Sequence, residues 1–236
     1  METTKRSELR RIPVRGSHDW NTISQILDAG FLAHVGFSVH NQPFVIPTVY
    51  GRRGETLYLH GSAASRMMRE LEAGIQACVT VTLVDGLVLA RSAFHHSMNY
   101  RSVVAFGRAK KVEDPIYKVQ SLQVISEHLI PGRWAEVRSP NASELKATTV
   151  LEFLIEEASS KVRSGPPLED ESDYAFSVWA GVLPLALRSQ SAIPDVQLQA
   201  GVGLPNYVSR YDARLARGKE TSRAQKCIEK PTSKEK

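Results

Sequence analysis

A serine and an arginine follow a run of small residues in LYLHGSAASRMMRELEAG, residues 57–74. The strand-like start of this stretch ends at His60, and the apolar spacing beyond it predicts a short helix over residues 65–73. The free N–H groups and the macrodipole of a helix N-terminus favour acidic side chains there. This helix instead begins with Ser65 and Arg66, so a favourable negative charge would have to come from another group.

An anion-binding site would explain this helix start. Free backbone N–H groups converge there, the Ser65 hydroxyl can donate a hydrogen bond, and the Arg66 guanidinium can hold two phosphate oxygens. A purely structural interpretation is also open: Ser62 or Ser65 caps the helix, Arg66 points to solvent, and the unfavourable charge costs only about 0.3–1 kcal/mol. The local pattern allows both interpretations.

A second polar stretch, RSAFHHSMNYR, covers residues 91–101. His95 and His96 are adjacent, so they face opposite sides of a strand and cannot easily bind one metal ion together. The stretch is either a loop whose His and Asn side chains stabilise turns, or a segment in which His95, His96, Asn99 or Arg101 faces a ligand cavity. The roles of these four residues stay open at this stage.

The flanking residues predict the environments of two further histidines. His60 lies at a strand end beside the small-residue turn, where an imidazole could hydrogen-bond a ligand. His34 lies within an apolar strand pattern, and we expect it to be a core or interface residue.

Most of the remaining sequence predicts strands. Alternating apolar residues and turn signals indicate antiparallel hairpins, one of which is expected to turn at Asp85-Gly86. The predicted strands and hairpins cover residues 31–61, 75–94, 101–114 and 148–165 (one long strand or a pair), and the predicted helices cover 19–29, 65–73 and 116–129. Six or seven closely connected antiparallel strands favour a mainly β fold, a closed or nearly closed barrel with a few helices.

The composition is that of a folded globular protein. The chain has 236 residues, of which 42% are hydrophobic and 23% charged, enough to build one large core. No apolar run approaches the roughly 20 residues needed to cross a bilayer, and residues 1–16 are not followed by the apolar stretch of a signal peptide. We therefore expect a soluble, cytoplasmic protein that does not bind membranes.

The net charge of +5 is concentrated at the two ends of the chain. Residues 1–15 carry five basic and two acidic side chains, and residues 211–236 carry eight basic and four acidic ones, so the remainder has a net charge of −2. Without a recognition motif, these ends predict solvated tails and no specific nucleic-acid binding. We expect a basic N-terminal arm (residues 1–16), one domain with a C-terminal arm (17–188) and a disordered polar tail (189–236).

The order of motifs along residues 10–185 is similar to that of a known family. A hairpin with QPFVIPTVYG, a strand TLYLHG, the helix start SAASRM, and the strands ACVTVTLVDG and NYRSVVAFGRAKKVED follow one another. This order resembles the flavin-binding split barrels related to pyridoxamine 5′-phosphate oxidase, particularly the branch similar to nitroimidazole-resistance proteins. The resemblance implies a six-stranded antiparallel split barrel that forms a homodimer with FMN at the subunit interface.

The resemblance also implies which residues hold the cofactor. Ser65 and Arg66 would bind the FMN phosphate, and residues of two strands would lie beside the rest of the flavin. These strand residues are Tyr58, Leu59, His60 and Gly61 beside the ribityl chain, and Val45, Ile46, Pro47 and Thr48 beside the isoalloxazine ring. Ser102 stands where the oxidase family has Gln, and Trp179 and Arg188 loosely match a late Trp and Arg near the ring.

The activity implied by the resemblance is that of a flavin-dependent oxidoreductase. It would act on a small conjugated molecule, with a reduced nicotinamide or another compound as the electron donor. Residues 185–236 lack the Arg-Leu-His-Asp-Arg type motif with which the oxidase itself recognises its substrate, so pyridoxamine phosphate is not expected. Other classes stay open. These are a non-catalytic flavin carrier or sensor, a haem- or deazaflavin-binding member of the same fold, and a nucleic-acid binder that uses its basic ends.

Overall fold

The computed structural model describes residues 4–212, which contain nine strands and five α-helices. The strands are Gly16–Ser17 (β1), Leu32–Val39 (β2), Gln42–Val49 (β3), Gly51–Arg53 (β4), Thr56–Ser62 (β5), Gln76–Leu89 (β6), Ser97–Lys111 (β7), Thr148–Arg163 (β8) and Gly181–Pro184 (β9). The helices are Trp20–Ala29 (α1), Arg66–Glu72 (α2), Pro115–Leu129 (α3), Ala142–Ala147 (α4) and Asn206–Ser209 (α5), with 3₁₀ turns at Pro13–Arg15, Ala93–His95 and Glu171–Ala175.

All nine strands belong to one antiparallel sheet. Its order is β3-β2-β6-β7-β8-β5-β4, with β1 paired to β8 and β9 paired to β6. Six of these strands, β2, β3, β5, β6, β7 and β8, have seven residues or more. The prediction of a mainly β, six-stranded antiparallel split barrel is therefore confirmed, and the three short strands extend it.

The first and last strands of this order, β3 and β4, are separated along the chain only by Tyr50. β3 pairs with β2, whereas β4 pairs with β5, so this one stretch of chain closes the sheet into a barrel. The β4–β5 ladder ends at Gly51 and Tyr58. Continuing its register would set Thr48 opposite Gly61, but among residues 4–212 no backbone pairing joins β3 to β5. We call this gap between β3 and the end of β5 the split.

Pro47 gives a physical reason for the split. A proline has no backbone N–H and cannot donate to a ladder on that side, so it is best placed at a free strand edge. Pro43 repeats the same feature near the start of β3. The sequence of β3 therefore keeps one of its edges open.

The core lies inside the barrel and under two helices. α1 contributes Ile23, Ile26 and Leu27, while α2 contributes Met67, Met68 and Leu71, and all six are buried. Asp19 caps α1 by accepting a hydrogen bond from the Thr22 N–H at 2.8 Å. Asp114 caps α3 in the same way through the Tyr117 N–H at 2.7 Å. The three helices predicted from the sequence are confirmed.

The turn predicted at Asp85-Gly86 is wrong. β6 continues to Leu89, and the register with β7 shifts between Val84 and Gly86 as a bulge. The strand continues because the apolar residues after Gly86 remain paired with β7 on one side and with β9 on the other. The Asp85 carboxylate is bound by Arg101, and its carbonyl accepts from the Leu185 N–H at 3.0 Å.

Residues 148–163 form a single long strand, β8, rather than a pair. The C-terminal arm after Gly165 returns to the sheet through β9, which pairs with β6. Phe176 and Trp179 of this arm stay 60% and 66% exposed, so they do not enter the core of the protomer.

The described residues divide into two compact units, and the boundary along the chain lies between Ala186 and Leu187. The first unit contains the sheet. In the second unit, the Asp212 carboxylate accepts hydrogen bonds from the N–H and Oγ of Ser189 at 2.6 and 2.9 Å. The predicted disordered tail covers residues 189–236. Its described part includes the short helix α5, and its part beyond residue 212 lies outside the described residues. No helix among residues 4–212 is long and apolar enough to cross a membrane.

Candidate functional site around the split

One side of the split is the free edge of β3. The residues predicted beside the isoalloxazine ring, Val45, Ile46, Pro47 and Thr48, all lie on this strand. Val45 is 63% exposed and Ile46 38%, which is unusual for aliphatic residues in a barrel strand. This edge therefore offers backbone polar groups and apolar side chains to a ligand.

The other side is the end of β5, where the side chains of Tyr58 and Leu59 serve the structure. Leu59 is fully buried in the core. The Tyr58 hydroxyl lies 2.7 Å from the Tyr117 hydroxyl, which donates to Glu152 at 3.1 Å. The bond to Tyr58, together with burial, raises the pKa of Tyr117. The side chains of Tyr58 and Leu59 are therefore not available to a ligand at the split.

His60 differs from these two neighbours on β5. Its Nδ1 atom is buried and has no hydrogen-bond partner among residues 4–212. Burial lowers the pKa of His60 below its ordinary 6.5, so the ring is neutral at pH 7. A buried polar atom normally has a partner. His60 is therefore a neutral imidazole with a buried nitrogen that no group among residues 4–212 satisfies.

Gly61, the next residue of β5, lies where α2 packs against the strand. A Cβ at this position would lie 2.9 Å from Cε of Met68, so glycine lets α2 approach β5 closely. This contact brings the start of α2 to the end of β5.

The start of α2 carries the positive charge at the split. Ser65 is its N-cap, but its side chain makes no capping hydrogen bond, and the first turn contains no acidic residue. The Arg66 guanidinium carbon lies 4.9 Å from the centre of the Phe44 ring on β3. No carboxylate of residues 4–212 forms a salt bridge with Arg66. The positive end of α2 and an unneutralised arginine thus meet β3 at the split.

The remaining predicted residues lie elsewhere. Ser102 is in the middle of β7, and its hydroxyl donates to the Lys161 carbonyl at 3.4 Å. Trp179 lies just before β9, and neither β7 nor β9 borders the split. Arg188 belongs to the second unit. Within one protomer the structure brings together the β3, β5 and α2 residues, but not Ser102 or Trp179.

The four polar residues of 91–101 have partners of their own. His96 Nε2 lies 3.1 Å from the Ala90 carbonyl, and His95 Nε2 lies 3.2 Å from the Asp170 carboxylate. The Asn99 side-chain N–H donates to the Gly165 carbonyl at 3.1 Å and its Oδ1 accepts from Arg163, while Arg101 binds Asp85 through two 2.8 Å hydrogen bonds. These contacts give His96, Asn99 and Arg101 structural roles, but Asn99 and Arg101 lie on β7 and not in a loop. The contact of His95 with Asp170 leaves its role open.

One residue at the split was not identified from the sequence. Phe44 lies under Arg66, and its position between two prolines of a free-edge strand was the signal that could have indicated it. His34 was expected in the core or an interface, but it is exposed on β2, where it faces Pro47 of β3. The core alternative for His34 is therefore wrong.

The comparison with protein families agrees with this geometry. A family model described as pyridoxamine 5′-phosphate oxidase matches residues 19–162, which include the whole split and α2. The chain belongs to the pyridoxamine 5′-phosphate oxidase family. The comparison with curated proteins found no match.

Solved structures extend the family resemblance to most of the chain. The flavocytochrome Anf3 from Azotobacter vinelandii is 42% identical, covers 88% of this chain and 96% of its own, and superposes with a TM-score of 0.83. A FAD- and haem-binding protein from Mycobacterium smegmatis is 34% identical, covers 83% and 96%, and has a TM-score of 0.79. A 5-nitroimidazole antibiotic resistance protein from Bacteroides thetaiotaomicron is 22% identical, covers 62% and 86%, has a TM-score of 0.52, and shares the fold. The predicted family resemblance is confirmed.

Proposed function

We propose that this chain binds a flavin in the split, with the flavin phosphate at the start of α2. The observation that carries the proposal is the position of Arg66, an arginine without a carboxylate partner in residues 4–212, in the acid-free first turn of α2 beside β3. A phosphate would supply the missing negative charge and would accept from the free N–H groups of this turn. The unused Ser65 hydroxyl adds a further donor.

The rest of the flavin fits the two open strand edges. Free backbone groups of β3 can hydrogen-bond the polar edge of the ring, while Val45 and Ile46 provide exposed apolar surface. The neutral imidazole of His60 would give its unpartnered Nδ1 to the flavin. These contacts are those expected of a cofactor that is partly flat and apolar and carries one anionic end.

FMN remains our prediction for the flavin, because a single phosphate accounts for Ser65 and Arg66. The Mycobacterium smegmatis protein, at 34% identity, is described as binding FAD. Both flavins carry a phosphate after the ribityl chain, so the proposed role of Arg66 is the same for either.

We propose that the flavin lies between two copies of the chain. The arm that ends in β9 exposes several large apolar side chains, namely Phe176, Val178, Trp179 and Leu183, each at least 51% exposed. Exposed apolar surface of this kind is characteristic of an interface. A homodimer would bury it, and Ser102 and Trp179 of a second copy could then reach a flavin that they do not approach within one protomer.

The proposed activity is electron transfer with a small conjugated molecule. A bound flavin supplies hydride or electron transfer, which the protein tunes by hydrogen bonds to the ring. The residues of this chain bind and orient the cofactor, and the apolar β3 residues limit access of water to it. A reduced nicotinamide is the proposed electron donor. A carrier or sensor that binds flavin without turnover is the alternative.

Haem binding is a second proposed function, favoured by the two structures at 42% and 34% identity, a flavocytochrome and a FAD- and haem-binding protein. An iron ligand requires a neutral imidazole with a free nitrogen. His18, His95, His96 and His128 contact carbonyl or carboxylate oxygens through one ring nitrogen. Such a contact orients an imidazole whose other nitrogen can bind iron, so we assign the iron ligand to no single histidine.

The proposals can be tested with the visible spectrum of the purified full chain and the mass of its extracted chromophores. Flavin absorption with an FMN or FAD mass supports the first proposal, and a Soret band supports the second. Bleaching of the flavin by NADH or NADPH under anaerobic conditions, followed by reoxidation with an added acceptor, distinguishes an oxidoreductase from a carrier. A colourless protein that takes up neither FMN nor FAD would overturn the first proposal.

A further inference from the structure

We propose that His95, Asp170 and Asp173 bind a divalent transition-metal ion, with zinc as the representative case. The three side chains come from two separate segments, the 3₁₀ turn before β7 and the 3₁₀ turn Glu171–Ala175. One ligand atom of each lies within 4.8 Å of the others. None of the three lies on the strands that border the split, so this site is separate from the proposed flavin site.

The local backbone places the two carboxylates side by side. Asp170 is the N-cap of the 3₁₀ turn, and Asp173 is three residues further on. Since a 3₁₀ helix has three residues per turn, side chains at i and i+3 lie on the same face. His95 Nε2 lies opposite both carboxylates, 3.2 Å from Asp170 and 3.9 Å from Asp173.

Contacts of Arg91 hold these two segments together independently of any ion. Its backbone N–H donates to the Glu169 carboxylate at 2.5 Å, and its Nη1 donates to the same carboxylate at 2.8 Å. Its guanidinium also lies 5.2 Å from the centre of the Tyr174 ring. Glu169 and Tyr174 flank the two aspartates, so the three candidate ligands are positioned before an ion binds.

The charges of this cluster are incomplete without a cation. Among residues 4–212, no lysine or arginine lies within 4.0 Å of the Asp170 or Asp173 carboxylate. A single histidine can neutralise at most one of two carboxylates, and only when protonated. The Asp173 side chain is only 16% exposed, so solvent screens its charge less than that of Asp170, which is 78% exposed.

The donor set indicates which ion fits. One imidazole nitrogen and two carboxylate oxygens are typical of zinc and manganese, whereas calcium and magnesium take oxygen ligands. Three protein ligands leave at least one position for water, and the ion would tie the acidic segment before β9 to the segment before β7. We infer a site of structural type, because no proposed cofactor residue lies among its ligands.

The test measures zinc binding to the untagged, reduced full chain by equilibrium dialysis. We compare the wild type with His95→Gln, Asp173→Asn and the matched control His96→Gln, whose imidazole contacts only the Ala90 carbonyl in the described structure. We expect the wild type and His96→Gln to hold one more zinc ion per chain than the other two variants, or to bind it about tenfold or more tightly.

Two further measurements guard against unfolded variants. Each variant should retain the circular dichroism spectrum and flavin uptake of the wild type, and zinc should raise the thermal midpoint of the wild type and His96→Gln but not of His95→Gln. Identical zinc stoichiometry and affinity in all four proteins would overturn the proposal. Equal loss in His96→Gln and His95→Gln would overturn it too, because the assigned ligand would then be wrong.

Discussion

Two regions of the same sheet use their polar groups differently. In the region formed by β6, β7 and β8, which we call the closed side, β7 is paired along almost its whole length on both edges. Its polar side chains are paired as well: Arg101 binds Asp85, and Asn99 binds Arg163. The exception on this side is Arg163 Nε of β8, which is buried without a hydrogen bond among residues 4–212. At the split, Arg66 has no carboxylate partner and His60 Nδ1 has no hydrogen bond among residues 4–212.

The difference indicates that the closed side mainly stabilises the fold, whereas the split leaves groups available to a ligand. In a complete ladder the backbone N–H and C=O groups are hydrogen-bonded to the neighbouring strands. Polar side chains in this region mainly pair with one another, which leaves few buried groups without a hydrogen bond. Where the ladder stops, donors and positive charge remain available to a ligand. The fold keeps the split open with Pro47 and closes the barrel through the short β3–β4 connection instead.

The largest expected effect is on the stability of the closed side. Phe153 on β8 is fully buried between β5 and β7. Phe153→Ala should lower the free energy of unfolding by about 3–5 kcal/mol, measured by urea denaturation. Val45→Ala at the split, where the side chain is 63% exposed, should change it by no more than about 0.5 kcal/mol. Equal losses in both variants would contradict the comparison.

The next effect is on flavin affinity. Arg66→Ala should weaken binding by about 1.5–3 kcal/mol, or roughly 10- to 150-fold, because a charge-assisted phosphate contact is lost. The same titration on Arg69→Ala is the control, since Arg69 lies in the last turn of the same helix. Loss of affinity in Arg69→Ala but not in Arg66→Ala would remove the proposed phosphate site.

How far the sequence could predict these regions depends on the range of the interactions. The helices and most strands follow from local patterns, and the proposed anion site follows from Ser65 and Arg66 within one helix turn. The bulge at Gly86 could not be foreseen, because Asp85-Gly86 is locally a turn signal and only pairing with β7 and β9 overrides it. Asp170 and Asp173 reach His95 across some 75 residues, beyond any local pattern.

A smaller effect concerns the N-terminal segment on the closed side. The Glu157 carboxylate accepts hydrogen bonds from Thr4 Oγ1, Ser7 Oγ and Arg6 Nη2 at 2.7, 2.8 and 2.6 Å, and these bonds hold its pKa at about 2 instead of the ordinary 4.5. As the pH falls, the Glu157 carboxylate takes up a proton in the unfolded chain before it does so in the folded chain. The stability that its hydrogen bonds contribute is therefore complete above pH 4.5 and is lost as the pH falls towards 2. Thermal midpoints of Glu157→Gln should therefore fall less over this range than those of the wild type.

The smallest effect belongs to His60. Because burial lowers its pKa below 6.5 in the folded chain, the unfolded chain gains a proton first as the pH falls. The stability contributed by the neutral ring is thus present above pH 6.5 and decreases below it. In His60→Gln, the decline in thermal midpoint between pH 7 and pH 5 should be shallower, and an unchanged decline would show that His60 does not titrate in this way.

The most direct test of the central claim compares riboflavin with FMN and FAD as ligands of the chromophore-free protein. The three share the isoalloxazine ring and the ribityl chain, and only riboflavin lacks the phosphate. We predict that the wild type binds FMN or FAD at least about tenfold more tightly than riboflavin, and that Arg66→Ala abolishes most of this difference. Equal affinity of the wild type for riboflavin and for both phosphorylated flavins would contradict the account.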